Sequence, residues 1–307
     1  MSVRKDYEDY WKYLGEEATF LEKYRDLDIL KRLKNVSRLC GMEYASSHAY
    51  NFAFSISRYE HSLATAKLVY KCSKDKSATL AALFHDIATP VFSHVIDYMN
   101  RDYLLQESTE KKTYEILNKS PEVKRLLQSD NVDIADVINF KKYSLVDLPR
   151  PCLCADRIDN IISDGMTWLN VLSFQDAKEI LDDIVIYSNE NGALEMGFSS
   201  ENTALYVKYI NDEINKLMHT KKDNYMMLLL ANIVKRCIDI GVVDYDELYQ
   251  IDEPTMVKII ESAISGDDVL HDLWYSFRTI ETFPDIDIPN IKDRCVNPLV
   301  VGKRLCR

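Results

Sequence analysis

Two apolar helical patterns, over about residues 59–73 and 76–87, constrain this chain most because their connection, SKDK, is short. Two helices joined by so short a connection can pack antiparallel, like an αα-hairpin. The stretch that contains them, Ser57–Asp97, carries three of the chain's six histidines, which are His61, His85 and His94. Antiparallel packing therefore predicts that histidines from two helices come close together.

The residues of this stretch suit a divalent metal, which needs imidazoles and carboxylates that converge on one point. On a regular helix the neighbours His85 and Asp86 point about 100° apart. They can reach one ion only near the end of a helix, and Pro90 indicates such an end. A further carboxylate, Asp156, lies between apolar residues in CLCADRIDNI. Buried, hydrogen-bonded histidines and aspartates without a metal remain the alternative.

Glycine and proline number only 8 each among 307 residues, which predicts long helices and few loops. An amphipathic helix or arm is predicted over residues 5–20. Further helices are predicted over 28–40, 59–73, 76–87, 92–99, 107–118, 121–129, 133–140, 152–169, 201–217, 225–240, 254–265 and 268–278. The segments DIVIY and ALEMGF flank SNENG, which predicts a β-hairpin over residues 183–198. The last residues, 284–307, are predicted to be extended, with an edge strand.

Net charge and cysteine content indicate which partners and which cell compartment to expect. The formal net charge of -11 argues against polymeric nucleic acid as the main partner, because phosphate neutralisation needs a basic surface. Seven cysteines without a CxxC pair predict reduced thiols in a cytoplasmic protein. The first 20 residues contain no apolar segment typical of a signal peptide, and no apolar run is long enough to span a membrane.

Three motifs together resemble the HD-domain metal-dependent phosphohydrolases. The most similar branch contains the bacterial dGTP triphosphohydrolases and the mammalian dNTP triphosphohydrolase that pairs a SAM domain with an HD domain. RYEHSL (58–63) is similar to the R-F-E-H-S-L motif of that branch. FHDIATPVFSH (84–94) resembles that branch's C-H-D-L-G-H-G-P-F-S-H, and ADRIDN (155–160) resembles its D-x-D-K/R-x-D segment. The looser resemblance extends from about residue 25 to the end of the chain, and no SAM domain is recognised in this sequence.

This resemblance implies a mostly α fold, with an HD-domain helical core, a small β-hairpin and a helical C-terminal region. The implied divisions are an N-terminal helical arm (1–24), the HD-domain core (25–182) and the hairpin with a helical subdomain (183–307). The resemblance also implies a cytoplasmic homo-oligomer that hydrolyses a small phosphorylated substrate, with a nucleotide such as a dNTP expected.

The site residues follow from the same resemblance. The implied metal ligands are His61, His85, Asp86 and Asp156, and the divalent ion is Mn, Mg, Fe, Zn or Ni. The implied catalytic residues are His94 and Asp97, and the implied substrate-binding residues are Arg58, Arg157 and Asp164. A neighbouring carboxylate, Asp159, is interpreted as a solvated residue on the face of a helix.

Several positions depart from the relatives' pattern. Thr89 stands where the triphosphohydrolases have a histidine, and Ala88 and Pro90 replace two glycines of the loop. Gln106-Glu107 aligns with the motif that supplies a further histidine, and Asn160 lies near the expected tyrosine. These departures favour one alternative to an enzyme, which is a nucleotide-sensing or scaffold protein that keeps the metal site. His94 as a core or capping residue, and Arg58 as the ion-pair partner of an acid such as Glu60, are the corresponding structural alternatives.

Overall fold

The computed structural model of the protein describes residues 2–15, 18–106, 112–286, 288 and 291–306. Within these residues the chain is mostly helical, as predicted. The α-helices are α1 (Val3–Tyr13), α2 (Asp28–Lys31), α3 (Arg58–Ser73), α4 (Lys76–Phe84), α5 (Val95–Met99), α6 (Thr113–Lys119), α7 (Pro121–Ser129), α8 (Ile134–Ile138), α9 (Ala155–Thr167), α10 (Phe174–Asp182), α11 (Glu201–Met218), α12 (Lys221–Asp239), α13 (Glu253–Ala263) and α14 (Asp268–Thr279). Among the described residues, none of these helices is both long and apolar enough to cross a bilayer.

Local capping explains the pair α3 and α4, which packs together as predicted. Ser57 and Glu60 form a capping box at the start of α3, in which the Ser57 hydroxyl accepts from the Glu60 amide and the Glu60 carboxylate accepts from the Ser57 amide. Lys74 adopts a left-handed conformation after α3, and the Asp75 carboxylate caps α4. The reversal between the helices is therefore built from these local contacts.

The helix predicted over Asp28–Cys40 is wrong. Helix α2 ends at Lys31, a 3₁₀ turn follows over Arg32–Asn35, and the chain then becomes extended. The extended part pairs with the residues before α3, because Ser37 bridges Ser57 and the Arg38 amide donates to the Ile56 carbonyl. Long-range pairing overrides the local helical period here, and it carries Arg38 to the start of α3.

The predicted hairpin is present and belongs to a larger sheet. Strands β1 (Ile184–Ser188) and β2 (Leu194–Phe198) are antiparallel, and Gly192 supplies the positive φ of +77° that their turn requires. The chain's last described segment adds β3 (Leu299–Val300), parallel to β2, and β4 (Lys303–Arg304), antiparallel to β3. The extended C-terminal segment is thus tied to the sheet.

Two buried apolar clusters underlie these elements. One involves α1, α3, α4, α9 and the sheet, and the other involves α5, α12, α13 and α14. Helix α1 belongs to the first cluster, since Tyr7 and Tyr10 are buried in it. The clusters do not follow the predicted divisions at residues 24 and 182, because α1 and the hairpin share a cluster with the central helices. That division of the chain stays a prediction.

Candidate metal centre and adjoining cavity

His61 lies in the first turn of α3 and is held by a buried chain of hydrogen bonds. Its Nδ1 is 2.6 Å from Oδ2 of Asp159 on α9. The other oxygen of that carboxylate accepts from the Tyr10 hydroxyl at 2.6 Å. A carboxylate has no proton to donate, so Nδ1 of His61 carries a hydrogen, and Nε2 is the nitrogen that can bind a metal once it has lost its own proton. An imidazole held in this way is oriented to bind a metal through Nε2.

The interpretation of Asp159 as a solvated carboxylate is therefore wrong. Its side chain is fully buried, between His61 and Tyr10. The spacing of three residues between Asp156 and Asp159 was the available signal, because residues three apart share a face of a helix. Both carboxylates of α9 consequently reach the same histidine, one at each ring nitrogen.

His85 follows the last residue of α4, so the helix ends where the sequence indicated. Its Nδ1 lies 2.6 Å from the Ala82 carbonyl oxygen and donates to it. Its Nε2 is buried and has no hydrogen-bond partner among the described residues. Leaving a buried polar nitrogen unpaired costs free energy, which makes this atom a candidate ligand.

The ligand atoms of the four candidate residues converge. Nε2 of His85 lies 3.6 Å from Oδ1 of Asp156 and 3.8 Å from Oδ2 of Asp86. Nε2 of His61 lies 3.0 Å from the same Asp156 oxygen and 4.0 Å from the same Asp86 oxygen. Ligand atoms each about 2.1 Å from a common ion lie about 3–4 Å from one another. Three of them, His61, His85 and Asp86, offer ligand atoms that all lie within 4.8 Å of one another, which fits a divalent ion, and Asp156 approaches both histidines.

The protonation of the cluster reflects the convergence of opposite charges. Burial lowers the pKa of His85, but Asp86 and Asp156 outweigh it and raise that pKa to about 9. Burial opposes ionisation of Asp156, yet the hydrogen bond to His61 and the nearby charge of His85 hold its pKa well below the usual range. Protons on the histidines thus balance the carboxylates, and a divalent cation replaces them when it binds.

Arg58 and His94 lie beside this cluster. Nη1 of Arg58 donates to Oδ2 of Asp86 at 2.9 Å, and the Glu60 carboxylate is instead engaged by Ser57. Nδ1 of His94 lies 2.9 Å from Oδ2 of Asp97, which is fully buried. Asp97 therefore stands behind His94 and orients it, leaving Nε2 as the outer nitrogen of the ring.

The comparison with protein families agrees with this geometry. Residues 58–164, which include all four candidate ligands, match the HD domain. The chain therefore contains an HD domain. It is a hydrolase that uses a divalent metal ion, and its HD domain spans α3 to α9.

Similar proteins support this assignment. The chain is 24% identical over 232 residues to the uncharacterized protein YdhJ of Bacillus subtilis, covering 75% of this chain and 69% of that protein. It is 29% identical over 133 residues to the metal-dependent phosphohydrolase cns2 of Cordyceps militaris. This match covers 42% of this chain and only 36% of the length of cns2.

Two solved structures share the fold. One is a hypothetical protein from Aquifex aeolicus, with a TM-score of 0.53, 18% identity, and coverage of 86% of this chain and 71% of that one. The other is a phosphohydrolase from Bacteroides thetaiotaomicron, with a TM-score of 0.55, 15% identity, and coverage of 84% of this chain and 72% of that one.

Two of the expected substrate-binding residues of the HD domain are engaged by protein groups. The Arg157 guanidinium donates to Asp147 and to the carbonyl oxygens of Cys152 and Leu148, and it is buried there. Oδ1 of Asp164 lies 3.1 Å from Nη2 of Arg38. Asp164 lies on the wall of a cavity next to the candidate metal ligands. The Arg157 guanidinium instead stabilises the loop that precedes α9.

The departures from the relatives' motifs have structural roles. The Thr89 hydroxyl donates to Oδ1 of Asp86 at 3.2 Å, so it supports a candidate ligand. The side-chain oxygen of Gln106 accepts from Arg294. Glu107 lies outside the described residues. Nδ2 of Asn160 donates to Oδ1 of Asp156 at 2.9 Å, which steadies another candidate ligand.

Apart from His94, Gln106 and Asp164, the cavity is bounded by residues that the sequence alone did not single out. Aromatic and polar side chains form its wall, and they include Tyr50, Phe52, Trp168, His94, Arg38 and Arg294. Tyr50 and Phe52 stack with ring centroids 5.1 Å apart. Arg38 lies in the segment that was wrongly predicted to be helical, and Arg294 lies in the C-terminal segment without a regular period, so no spacing pattern linked them to the HD domain.

Proposed function

We propose that this chain, a metal-dependent phosphohydrolase, cleaves a phosphate ester or anhydride of a nucleotide in the cavity beside α3 and α4. The proposed ligands of the ion are His61, His85, Asp86 and Asp156. The observation that carries the proposal is the buried Nε2 of His85, which lacks a hydrogen-bond partner among the described residues and faces two carboxylates. Arg58 next to those carboxylates suits a phosphate, since a guanidinium can donate two parallel hydrogen bonds to it.

The reaction chemistry divides between the ion and the protein. A bound divalent ion lowers the pKa of water and polarises a phosphoryl oxygen. Arg58 binds a phosphoryl oxygen and offsets the negative charge that grows in the transition state. Its guanidinium is held in place by Asp86 and by the Ser93 hydroxyl, which lies 3.2 Å from Nε. Arg58 is thus oriented before the substrate binds.

His94 is the proposed proton donor to the leaving oxygen. Asp97 accepts from Nδ1, so a protonated His94 presents its Nε2 hydrogen away from that carboxylate. Burial, aided by the charges of Arg294 and Arg58, lowers the pKa of His94 despite the hydrogen bond to Asp97. An imidazolium with a lowered pKa gives up its proton readily. Asp97 acts through His94 and is a positioning residue.

A nucleotide suits the cavity because of its aromatic wall. The stacked pair Tyr50 and Phe52 lies next to Trp168, whose ring centroid is 5.6 Å from that of Phe52. Any nucleobase can stack on such rings, because every base has an aromatic face. The same side of the molecule therefore offers a surface for a base and a site for its phosphate.

A cytoplasmic homo-oligomer is part of the proposal. All seven cysteines are unpaired in the structure, which suits a reducing compartment. Leu205 and Tyr209 lie one turn apart on α11 and are half exposed, at 49% and 53%. Light scattering of the purified protein tests self-association.

A metal-dependent substrate screen tests the function. Protein freed of metal and reloaded with Mn²⁺, Mg²⁺, Co²⁺ or Ni²⁺ is incubated with dNTPs, NTPs, nucleoside monophosphates and an aryl phosphate, and released phosphate, diphosphate and triphosphate are separated. We expect turnover of a nucleotide, its loss in His85→Gln, and its retention in His219→Gln, which changes an exposed histidine. Folded, metal-loaded protein that hydrolyses the aryl phosphate but no nucleotide would refute the proposed substrate.

A further inference from the structure

Three arginines approach the candidate site, and they differ in how their charges are matched. Arg58 is paired with Asp86 at 2.9 Å, and Arg38 is paired with Asp164 at 3.1 Å. For Arg294, no carboxylate lies within ion-pair distance among the residues that the structure describes, although Arg294 lines the cavity. Among the described residues, Arg294 is thus the one of these three guanidiniums without a carboxylate at ion-pair distance.

The backbone around Arg294 is anchored on both sides. Its amide donates to Oδ1 of Asn215 at 2.9 Å, and its carbonyl oxygen accepts from Nδ2 of Asn211 at 3.1 Å and from the Arg150 guanidinium. These contacts fix the segment against α11. The Arg294 side chain extends from this anchored backbone, and Nη2 donates to the Gln106 side chain. The guanidinium is therefore positioned in advance.

The surroundings of Arg294 favour an anion. Burial lowers the pKa of Arg294, and the charge of Arg58 acts in the same direction, although Cys40 and Asp156 act to raise it. The carboxylates on the cavity wall are already engaged, since Asp164 binds Arg38 and Asp223 accepts from the Tyr50 hydroxyl at 2.6 Å. A buried charge without a partner is costly, and a ligand anion would remove that cost.

We infer that Arg294 forms a second anion subsite, which binds a phosphate group of the substrate other than the one being cleaved. The inference rests on the proposed function, because that function assigns the scissile phosphate to Arg58 and the ion. It specifies the substrate class as a nucleotide with at least two phosphate groups. Gln106, whose side-chain oxygen accepts from Nη2 of Arg294, then serves to orient Arg294.

Binding of two inorganic probes tests the subsite without requiring turnover. The full-length, metal-loaded protein is titrated calorimetrically with phosphate and with pyrophosphate, both in excess Mg²⁺ so that chelation is constant. Wild type should bind pyrophosphate at least about tenfold more tightly than phosphate, as expected for one charge-assisted contact. Arg294→Gln should remove most of this preference and change phosphate affinity by less than about twofold.

Matched variants control for nonspecific effects. Arg236→Gln removes another guanidinium, which pairs with Asp267 at the surface, and should keep the wild-type preference. Circular dichroism and thermal melting check the fold of each variant. If Arg294→Gln is not folded, Arg294→Met, which keeps an unbranched apolar stem, takes its place with the same expected result.

The outcomes separate this inference from the proposed function. A wild-type preference for pyrophosphate that survives in both Arg294 variants, an equal loss for both anions, or no preference in wild type would overturn the subsite. Loss of the preference in protein that hydrolyses no nucleotide would support the subsite and reject the proposed function. Nucleotide hydrolysis together with an unaltered preference for pyrophosphate in the Arg294 variants would support the proposed function and reject the subsite.

Discussion

Replacing Asp159 with asparagine tests the chain of contacts behind His61. The substitution keeps the size and one acceptor oxygen but removes the charge from a fully buried group with two hydrogen bonds of 2.6 Å. The carboxylate fixes the ring of His61 and makes Nε2 more basic, so a neutral amide weakens both effects. We expect the affinity for Mn²⁺ to fall about 10- to 100-fold, which corresponds to about 1.4–2.7 kcal/mol.

The measurement is a competition titration of Mn²⁺ against a chelator of known affinity at constant pH. Tyr10→Phe is the matched control, because it removes the hydroxyl contact to Asp159 and leaves the carboxylate on His61. We expect it to lower the free energy of unfolding by about 1 kcal/mol and to change metal affinity much less than Asp159→Asn does. Wild-type Mn²⁺ affinity in folded Asp159→Asn would refute the role assigned to Asp159.

Three further predictions concern the histidines. His94→Gln should lower kcat about 10²- to 10⁴-fold while leaving Mn²⁺ affinity unchanged, and a parallel loss of metal would contradict its role as a proton donor. His94 is faced by Asp97, Arg58 and Arg294 and has a lowered pKa, so its protonated form disappears as pH rises. We therefore expect kcat to fall with rising pH through a pKa below 6.5. This falling limb of the pH–kcat profile should be absent in His94→Gln. Because the pKa of His85 is about 9 without metal, Mn²⁺ binding at pH 7 should release a proton and strengthen as pH rises towards 9, which calorimetry in buffers of different ionisation enthalpy can measure.

The elements predicted best were those specified by local contacts. Helices α3 and α4 begin directly after Ser57 and Asp75, whose side chains cap the first turn, and the apolar period continues from there. The hairpin was equally local, since Asn191-Gly192 provides its turn. Such signals lie within a few residues of the structure that they specify.

The residues that sequence reasoning missed depend on long-range contacts. Leu30, Leu33 and Val36 have helical spacing and are buried, but the pairing of Ser37 with Ser57 ends the helical path. Arg294 reaches the cavity through contacts with side chains about eighty residues earlier in the chain. Spacing within a segment carries no information about such partners.

The C-terminal segment has a consequence for synthesis of the protein. The four candidate ligands lie within residues 58–164, whereas Arg294 follows 130 residues after the end of that range. At about 5–20 residues per second, a ribosome needs roughly 6–26 s to cover that distance. A nascent chain can therefore expose its metal ligands well before β3 joins the sheet and Arg294 reaches the cavity. Metal that binds during that interval would do so before the proposed substrate site is complete.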